Sequence, residues 1–350
     1  MFQTALRVIV ACLAVAALPG LAACREADSP SFQWVSPTPA TENPSTPVHS
    51  PSPAARPGGP RWPVTLAAAG DVMLARSVAN AITAEDPGAP FAYVRDFFAG
   101  ADMAVVNLEC AISDVGAPEP KAYTFRAPPL AVRALAAAGI DVVALANNHA
   151  GDYGMHALLD TLDRLDAEGI ASVGAGPDEA RAYGAVVVER EGVRFAFLAF
   201  AEVPVEGSGY DIEGWRAGPA TPGIAWLDDE RVLAAIGEAR ADADIVVVLF
   251  HYGQEGHGSP SSRQVTISHA AVDAGADLVI GSHPHVLQEV EEYGGGLIAY
   301  SLGNFVFDGF DEYPGGTDTA ILEVTFGPEG VRSWNLVPAR IGWDGLPRVE

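Results

Sequence analysis

Cysteine is scarce in this sequence. Two of its three cysteines, Cys12 and Cys24, lie within the first 24 residues, which leaves Cys110 alone in the rest of the chain. A single cysteine has no partner for an internal disulfide, so stability must come from core packing, with or without a bound metal. The hydrophobic fraction of 49% in 350 residues is ample for such a core.

Positive charge is also scarce. The chain has 20 basic residues against 45 acidic ones, a formal net charge of −25. Such a surface repels phosphate backbones, so we expect no general binding to nucleic acid. If the substrate is an anion, a local source of positive charge is required, and a bound metal would supply it.

The N-terminal segment has the pattern of an export signal. An apolar run follows Arg7, is broken by Pro19 and Gly20, and is not followed by stop-transfer charges. This pattern predicts a secretory signal over residues 1–24 and makes a retained transmembrane helix the weaker alternative. The quartet LAAC resembles a bacterial lipobox, which predicts lipidation of Cys24 and an extracytoplasmic, lipid-anchored protein at the cell membrane.

Residues 25–62 are dominated by proline, serine and threonine and have no apolar period. Such a segment cannot bury enough apolar surface to order itself, so we predict a disordered stalk. The pattern changes at residue 63, and the even scatter of apolar residues up to residue 350 predicts one folded domain.

Continuous apolar runs of strand length alternate with helical patterns in this domain. The helical spacing is clearest in residues 154–169 and 228–243, and the alternation predicts an α/β fold with right-handed crossovers. Residues 297–341 read as consecutive strands without helices, so the sheet is mixed or two sheets pack together. The long stretch 202–226 is a candidate lid or substrate loop.

Polar side chains that can bind metals follow several of the apolar runs. They are Asp71, Asn107, Glu109, Asn147, Asn148, His149, His251, His283 and His285. Because the carboxyl ends of parallel strands meet at one edge of a sheet, we expect these groups to converge there. Oxygen and imidazole ligands without a thiolate suit Mn, Fe, Zn or Mg.

Each of these residues also has a purely structural interpretation. Asp71 could cap a helix or occupy a turn, the Asn147-Asn148 pair could satisfy a turn, and one histidine at a strand end is more often a hydrogen-bonded structural residue. The joint pattern favours the metal site. In His283-Pro284-His285, an extended backbone would place both rings on the same face.

The remaining candidates are weaker. His156 and His269 lie in predicted helices, where a structural role is favoured, and His257 in a glycine-rich loop stays open. Cys110 reads as a small buried residue, since no basic environment lowers its pKa. Arg126 and Arg263 are candidate anion clamps, with a surface role as the alternative for each.

Six motifs in order resemble the CapA/PgsA family, described as poly-gamma-glutamate capsule biosynthesis proteins. They are AAGDVML, VVNLE, FRAPP with GIDVVALANNHAGDYG, HYGQE, GADLVIGSHPHV and IAYSLGNFVFD, between residues 64 and 310. That family is similar to calcineurin-like metallophosphoesterases. The resemblance implies a four-layered α/β/β/α sandwich with a metal site at the strand ends.

The resemblance also implies roles for individual residues. The implied metal ligands are Asp71, Glu109, Asn148, His251, His283 and His285. His149 matches the histidine that protonates the leaving oxygen. Arg126, Asn107 and Asn147 are the candidates for substrate binding.

This chain departs from the phosphoesterase pattern at four places. Met73 stands where a ligand histidine is expected, and only Asn107 and Glu109 stand near the bridging aspartate. Ser282 replaces a further histidine of many relatives, and Gly256 follows Glu255 where an aromatic is usual. What remains is compatible with one divalent ion or with two.

The leading hypothesis is a membrane-tethered protein that acts in synthesis or export of an anionic polymer such as poly-gamma-glutamate, with a metal-dependent hydrolase-like site. A non-catalytic subunit that binds the polymer is the first alternative, and a secreted metallophosphoesterase unrelated to capsule is the second. The expected partners are an anionic polymer or phosphoester, the membrane through the lipid anchor, and membrane synthase subunits, the last by resemblance.

Overall fold

The structure, a computed structural model, describes residues 59–203, 205 and 209–350. The predicted signal peptide with its lipidated Cys24, and all of the predicted stalk except residues 59–62, lie outside the described residues. Part of the stretch 202–226 is likewise not described.

Strands and helices alternate through most of the described chain. The strands are β1 Val64–Val72, β2 Met103–Leu108, β3 Ala111–Ile112, β4 Arg126–Ala127, β5 Val142–Ala144, β6 Ala171–Val173, β7 Ala175–Gly176, β8 Val186–Arg190, β9 Val193–Glu202, β10 Gly223–Ile224, β11 Ile245–Tyr252, β12 Leu278–Ser282, β13 Val290–Tyr293, β14 Gly296–Ala299, β15 Asn304–Val306, β16 Asp318–Gly327, β17 Gly330–Ile341 and β18 Pro347–Val349. The α-helices are α1 Arg95–Ala99, α2 Val132–Ala138, α3 Met155–Ala167, α4 Glu179–Tyr183, α5 Asp229–Asp242 and α6 Ser262–Asp273.

Two mixed sheets form the centre of the domain. The larger sheet has the order β18-β17-β16-β1-β2-β5-β6, with β15 also paired to β1, and the smaller has the order β13-β14-β12-β11-β9-β8. Strands β1, β2, β5 and β6 run parallel in the larger sheet, as do β9, β11, β12 and β14 in the smaller one. Antiparallel strands extend both sheets. The central parallel strands are continuous apolar runs because both of their faces are buried.

The alternation of side chains along β9 shows how the layers stack. Phe195 and Phe197 point into the core between the sheets, where Phe195 meets Phe326 of β16 edge to face, with ring centroids 6.1 Å apart. Leu198 and Phe200 point to the opposite face, which α5 and α6 cover. Helices α1, α2 and α3 cover the outer face of the larger sheet. The predicted four-layered α/β/β/α sandwich is confirmed.

The helices at 155–167 and 229–242 confirm the two predicted helical segments. Helix α5 begins where the Asp228 side chain accepts a hydrogen bond from the N–H of Arg231. Helix α6 begins with a capping box between Ser261 and Gln264. None of the helices in the described part of the chain is both long enough and apolar enough to span a membrane.

Strand register brings the polar strand ends side by side. Asp71 at the end of β1 lies opposite Asn107 of β2 on one side and Asn304 of β15 on the other. In the smaller sheet, His251 of β11 lies opposite Ser282 of β12. The carboxyl ends of the parallel strands therefore form one edge that carries most of the predicted site residues.

The β1 and β15 backbones approach closely at this edge, which requires glycine at position 70. A Cβ on Gly70 would lie 1.9 Å from the carbonyl oxygen of Gly303, the oxygen that accepts the N–H of Asp71. We predict that Gly70→Ala lowers the free energy of unfolding by about 2 kcal/mol or more, because one of the two backbones must move. Urea denaturation measures this.

Gly237→Ala is the matched control. Gly237 lies on the exposed side of α5 with no atom within 4 Å of an added Cβ. Alanine there should leave the protein as stable or add up to about 1 kcal/mol through helix propensity. Equal stability of Gly70→Ala and the parent protein would contradict the close approach.

Candidate metal centre

Two buried carboxylates lie side by side at the strand edge. Asp71 is the second-last residue of β1 and Glu109 directly follows β2, and neither is exposed to solvent. The amide nitrogen of Asn107 donates to Asp71 Oδ1 at 2.8 Å and lies 3.3 Å from Glu109 Oε2. Burial, and next the charge of Asp71, raise the pKa of Glu109 well above its usual value. Among the described residues Glu109 Oε1 is buried without a hydrogen-bond partner.

His251 and His283 face these carboxylates as neutral imidazoles. His251 Nε2 donates to Asn148 Oδ1 at 2.8 Å, which leaves its Nδ1 to accept from Ser282 Oγ at 2.9 Å. Burial, and next His283, lower the pKa of His251 well below its usual value. Burial lowers the pKa of His283 to about 3. Neutral imidazole is the form of histidine that binds metals.

His283 has no hydrogen-bond partner for either ring nitrogen within the described chain, although the residue is only 4% exposed. Its ring centroid lies 4.9 Å from that of His251. A buried polar atom without a partner costs about 1–3 kcal/mol. Two such atoms on one ring therefore point to a bound group as their partner.

His285 lies closest to the acidic pair. Its Nδ1 is 3.3 Å from Asp71 Oδ2 and 2.8 Å from Asn304 Oδ1, and its Nε2 is 3.8 Å from Glu109 Oε1. Burial acts to lower the pKa of His285, but Asp71, with Glu255 and Asn304, outweighs burial and the pKa is raised. Without a cation, this imidazole and the Asn107 amide are the side-chain groups that compensate Asp71.

The prediction that strand alternation aligns the two rings of His283-Pro284-His285 is wrong. Strand β12 ends at Ser282, and His283 and His285 have φ angles of 93° and 58°, in the left-handed region rather than the extended one. Their ring centroids are 6.0 Å apart. In the turn, Pro284 O accepts the N–H of Gly256 from the loop after β11. Such backbone conformations are costly, and they concentrate at functional sites.

A buried chain of hydrogen bonds links His149 to Asp152 and Lys121. His149 Nδ1 donates to Asp152 Oδ2 at 2.7 Å, and Lys121 Nζ donates to Asp152 Oδ1 at the same distance. Lys121 also donates to the carbonyl oxygen of Asn148. Burial lowers the pKa of His149, and Asp152 offsets part of this effect. Since Asp152 binds Nδ1, the other ring nitrogen faces the centre, with Nε2 3.9 Å from Glu109 Oε1.

The aromatic ring of Phe125 holds the His149 imidazole in place. The two rings stack with centroids 4.1 Å apart, and the backbone N–H of Phe125 donates to Asp152 Oδ2 at 2.7 Å. One residue therefore fixes both the ring plane of His149 and the carboxylate that orients it.

The structure brings together nearly all of the predicted site residues. Those at the strand edge are Asp71, Asn107, Glu109, Asn147, Asn148, His149, His251, His283 and His285. Arg126 instead is exposed, and its guanidinium lies over the ring of Tyr153, 4.2 Å from the centroid. Its role in substrate binding stays a prediction.

Asn107 and Asn147 were predicted to bind substrate, and their amides are engaged within the protein. Asn147 Nδ2 donates to Asn107 Oδ1 at 3.0 Å and to the Leu108 carbonyl at 2.9 Å. Its Oδ1 accepts the N–H groups of His149 and Ala150. The two asparagines thus link the ends of β2 and β5 and hold the acidic pair and His149 in place.

Sequence reasoning missed several residues that contact the centre. They are Lys121, Asp152, Glu255 and Asn304. Asp152 lies three residues after His149, a spacing that allows a short carboxylate–imidazole contact in a tight turn. Lys121 belongs to an irregular loop, where no periodic pattern marks it.

The residues with weaker predicted roles lie away from this cluster or are fully packed. Arg263 forms ion pairs with Asp229 and Glu202. These carboxylates compensate its charge, so the guanidinium is not available to bind an anionic substrate. Cys110 is buried, and burial raises the pKa of its thiol to about 12, so it is not an activated nucleophile.

Met73, which stands where the resemblance implies a ligand histidine, is fully buried, and its sulfur accepts the N–H of Ala75 at 3.2 Å.

The chain as a whole is similar to sequences named for capsule synthesis. The family described as "Bacterial capsule synthesis protein PGA_cap" matches residues 65–309. The "PGA biosynthesis protein CapA" of Bacillus subtilis is 34% identical over 275 residues, 78% of this chain and 70% of that protein. The "Capsule biosynthesis protein CapA" of Bacillus anthracis is 32% identical over 296 residues, covering 81% and 69%.

One solved structure has a related fold. A hypothetical protein from Thermus thermophilus aligns with a TM-score of 0.51 at 18% identity, over 78% of this chain and 98% of the other. At this identity the likeness concerns the fold alone.

The ion pair between Lys121 and Asp152, next to His149, should contribute to the free energy of unfolding because it is buried. The side chains of Lys121 and Asp152 are both fully buried. Lys121→Met leaves the Asp152 carboxylate without this cation, and we expect the free energy of unfolding to fall by about 3 kcal/mol or more. The double variant Lys121→Met/Asp152→Asn should lose less, because no unpaired charge remains. Urea denaturation of both variants measures the difference.

Arg190→Met is the control for this prediction, since the Arg190 side chain is 43% exposed in its pair with Asp141. It should cost less than about 1 kcal/mol. Equal losses in Lys121→Met and Arg190→Met would show that the Lys121 pair is not a buried one in solution.

Proposed function

The chain belongs to the bacterial capsule synthesis protein family, and from this membership we propose that it acts in the synthesis or export of poly-gamma-glutamate or a similar anionic capsule polymer. The family match covers most of the domain, and the relatives named above carry capsule biosynthesis in their names. The buried cluster of carboxylates and imidazoles at the strand edge is the observation that supports a chemical role in this process.

We propose that this cluster holds one or two divalent metal ions. Two adjacent buried carboxylates cannot both ionise without a compensating cation. Ligand atoms of Asp71, Glu109 and His251 lie within 4.8 Å of one another, and Glu109 Oε1 has no hydrogen-bond partner among the described residues. Asn148, His283 and His285 complete the donor set. Oxygen and nitrogen donors without thiolate suit Mn, Fe, Zn or Mg.

A cation at this place also explains how an acidic protein would bind an acidic polymer. The formal charge of −25 repels a polyanion, and the cluster itself is acidic. A divalent ion reverses the sign of the local field. The polymer carboxylates would then be attracted to the strand edge and repelled elsewhere.

The arrangement around His149 fits general acid catalysis. When bound, the metal would polarise a phosphoryl or amide oxygen and lower the pKa of a water molecule. His149 would act in its protonated form, which the Asp152 carboxylate at Nδ1 favours against burial, and would give its Nε2 proton to the leaving group and return to the neutral ring. Phe125 fixes the ring plane. This set of roles supports hydrolysis of a phosphoester or an amide.

A non-catalytic role is the second candidate. Met73 fills the core position at which the resemblance implies a ligand histidine, so one ligand is missing from the catalytic pattern. In this candidate role the cluster binds carboxylates of the polymer and guides the chain without cleaving it. The proposed tether, a lipid on Cys24 followed by the stalk, serves both roles at the outer face of the membrane.

Hydrolysis separates the two roles. The purified protein with added Mn²⁺ should shorten poly-gamma-glutamate, measured by size-exclusion chromatography, or hydrolyse bis(p-nitrophenyl) phosphate, measured by absorbance. His149→Ala should lower the rate of poly-gamma-glutamate cleavage by about 10²- to 10⁴-fold, because the amine leaving group must be protonated and the general acid is lost. The p-nitrophenolate leaving group needs little protonation, so the phosphodiester serves only to detect turnover.

His156→Ala is the matched control, since His156 is exposed on α3, and it should keep the full rate. No turnover of either substrate with Mn, Fe, Zn or Mg would contradict catalysis. Metal-dependent binding of the polymer would in that case support the accessory role.

A further inference from the structure

The loop that follows β11 is hydrogen-bonded to the His283-Pro284-His285 segment. The N–H of Gly256 donates to Pro284 O at 2.9 Å. Gly256 has a φ of 77°, and a Cβ there would lie 2.4 Å from the hydroxyl of Tyr313, so glycine allows both the turn and the packing. Glu255 is therefore carried on a loop whose next residue is fixed to the two histidines.

The Gln288 side chain makes further hydrogen bonds to the same loop. Its Nε2 donates to the carbonyl oxygens of His257 at 2.7 Å and Ser259 at 3.2 Å, and its Oε1 accepts from Gln264 Nε2 at 2.8 Å. Gln264 and Gln288 are both buried. The loop is therefore held by buried groups as well as by Gly256, which fixes the position of Glu255 without using its carboxylate.

The Glu255 carboxylate meets the two histidines in space. One ligand atom from each of Glu255, His283 and His285 lies within 4.8 Å of the others. His283 is the residue whose two buried ring nitrogens have no hydrogen-bond partner among the described residues. The unpartnered imidazole thus has the Glu255 carboxylate nearby, and the backbone N–H of the same residue lies 3.4 Å from Asp71 Oδ2.

We propose that Glu255 is a metal ligand, and that with His283 and His285 it forms the site of a second divalent cation. The proposal rests on the metal centre proposed above and adds a ligand that sequence reasoning did not assign. It also supplies a carboxylate ligand to a centre in which Met73 stands where the resemblance implies a histidine.

The burial of the two sites predicts that they differ in affinity. Asp71, Glu109 and His251 are buried, whereas Glu255 is exposed. An exposed carboxylate keeps its hydration when it is free, so its ion is bound less tightly than one held by buried carboxylates. The second ion is the weaker and the more readily exchanged one.

Metal titration tests the proposal without an activity assay. The full chain is stripped with a chelator, titrated with MnCl₂ by calorimetry, and analysed for bound metal after desalting. The parent protein should bind two equivalents, one tight and one weak. Glu255→Gln should keep the tight one and weaken the other at least about tenfold, as even outer-sphere partners of metal ligands do. His283→Ala should weaken the same equivalent.

Glu312→Gln is the matched control, an exposed acid on a different loop, and it should bind as the parent does. Two equivalents with unchanged affinities in Glu255→Gln would overturn the assignment of Glu255 and leave the metal centre standing. The assignment would also be overturned if the parent protein bound one equivalent of Mn²⁺ and Glu255→Gln bound that equivalent with the same affinity. Absence of any binding to the parent protein would overturn the metal centre itself.

Discussion

The structure around the strand edge depends on one constraint, which is that Asp71 and Glu109 are buried next to each other. Two carboxylates in this position need compensation from donors or cations. The amide of Asn107 supplies one donor to each, and His285 supplies the adjacent imidazole. Glu109 Oε1 and the His283 ring remain without partners in the described chain, so the compensation by protein groups is incomplete. A divalent cation would complete it.

The fold produces this arrangement through strand register and close backbone contact. The parallel pairing of β1 with β2 and β15 places Asp71 between two asparagines, and the pairing of β11 with β12 places His251 beside Ser282. Past the strand ends, backbone turns with positive φ at His283 and His285 direct the imidazoles. The sheets thus set the position of the centre, and the turns set its detailed geometry.

Much of this was predictable from the sequence, for a physical reason. Strands buried on both faces must be continuous apolar runs, so the polar residues at their ends mark the functional edge. The positions of Asp71, Asn148 and His251 follow from that rule. The remaining features depend on contacts between loops, which no periodic pattern encodes. The backbone of His283-Pro284-His285 was predicted as extended, but both histidines have positive φ angles, and the hydrogen bond from Gly256 to Pro284 O joins this turn to another loop.

We propose that these buried carboxylates and imidazoles hold a divalent cation. Anomalous diffraction from a crystal of this protein soaked in Mn²⁺ would locate such an ion. We expect a peak within bonding distance of Asp71, Glu109 and His251. A map without a peak at this edge, with Glu109 and His283 hydrogen-bonded to protein groups instead, would contradict the proposal.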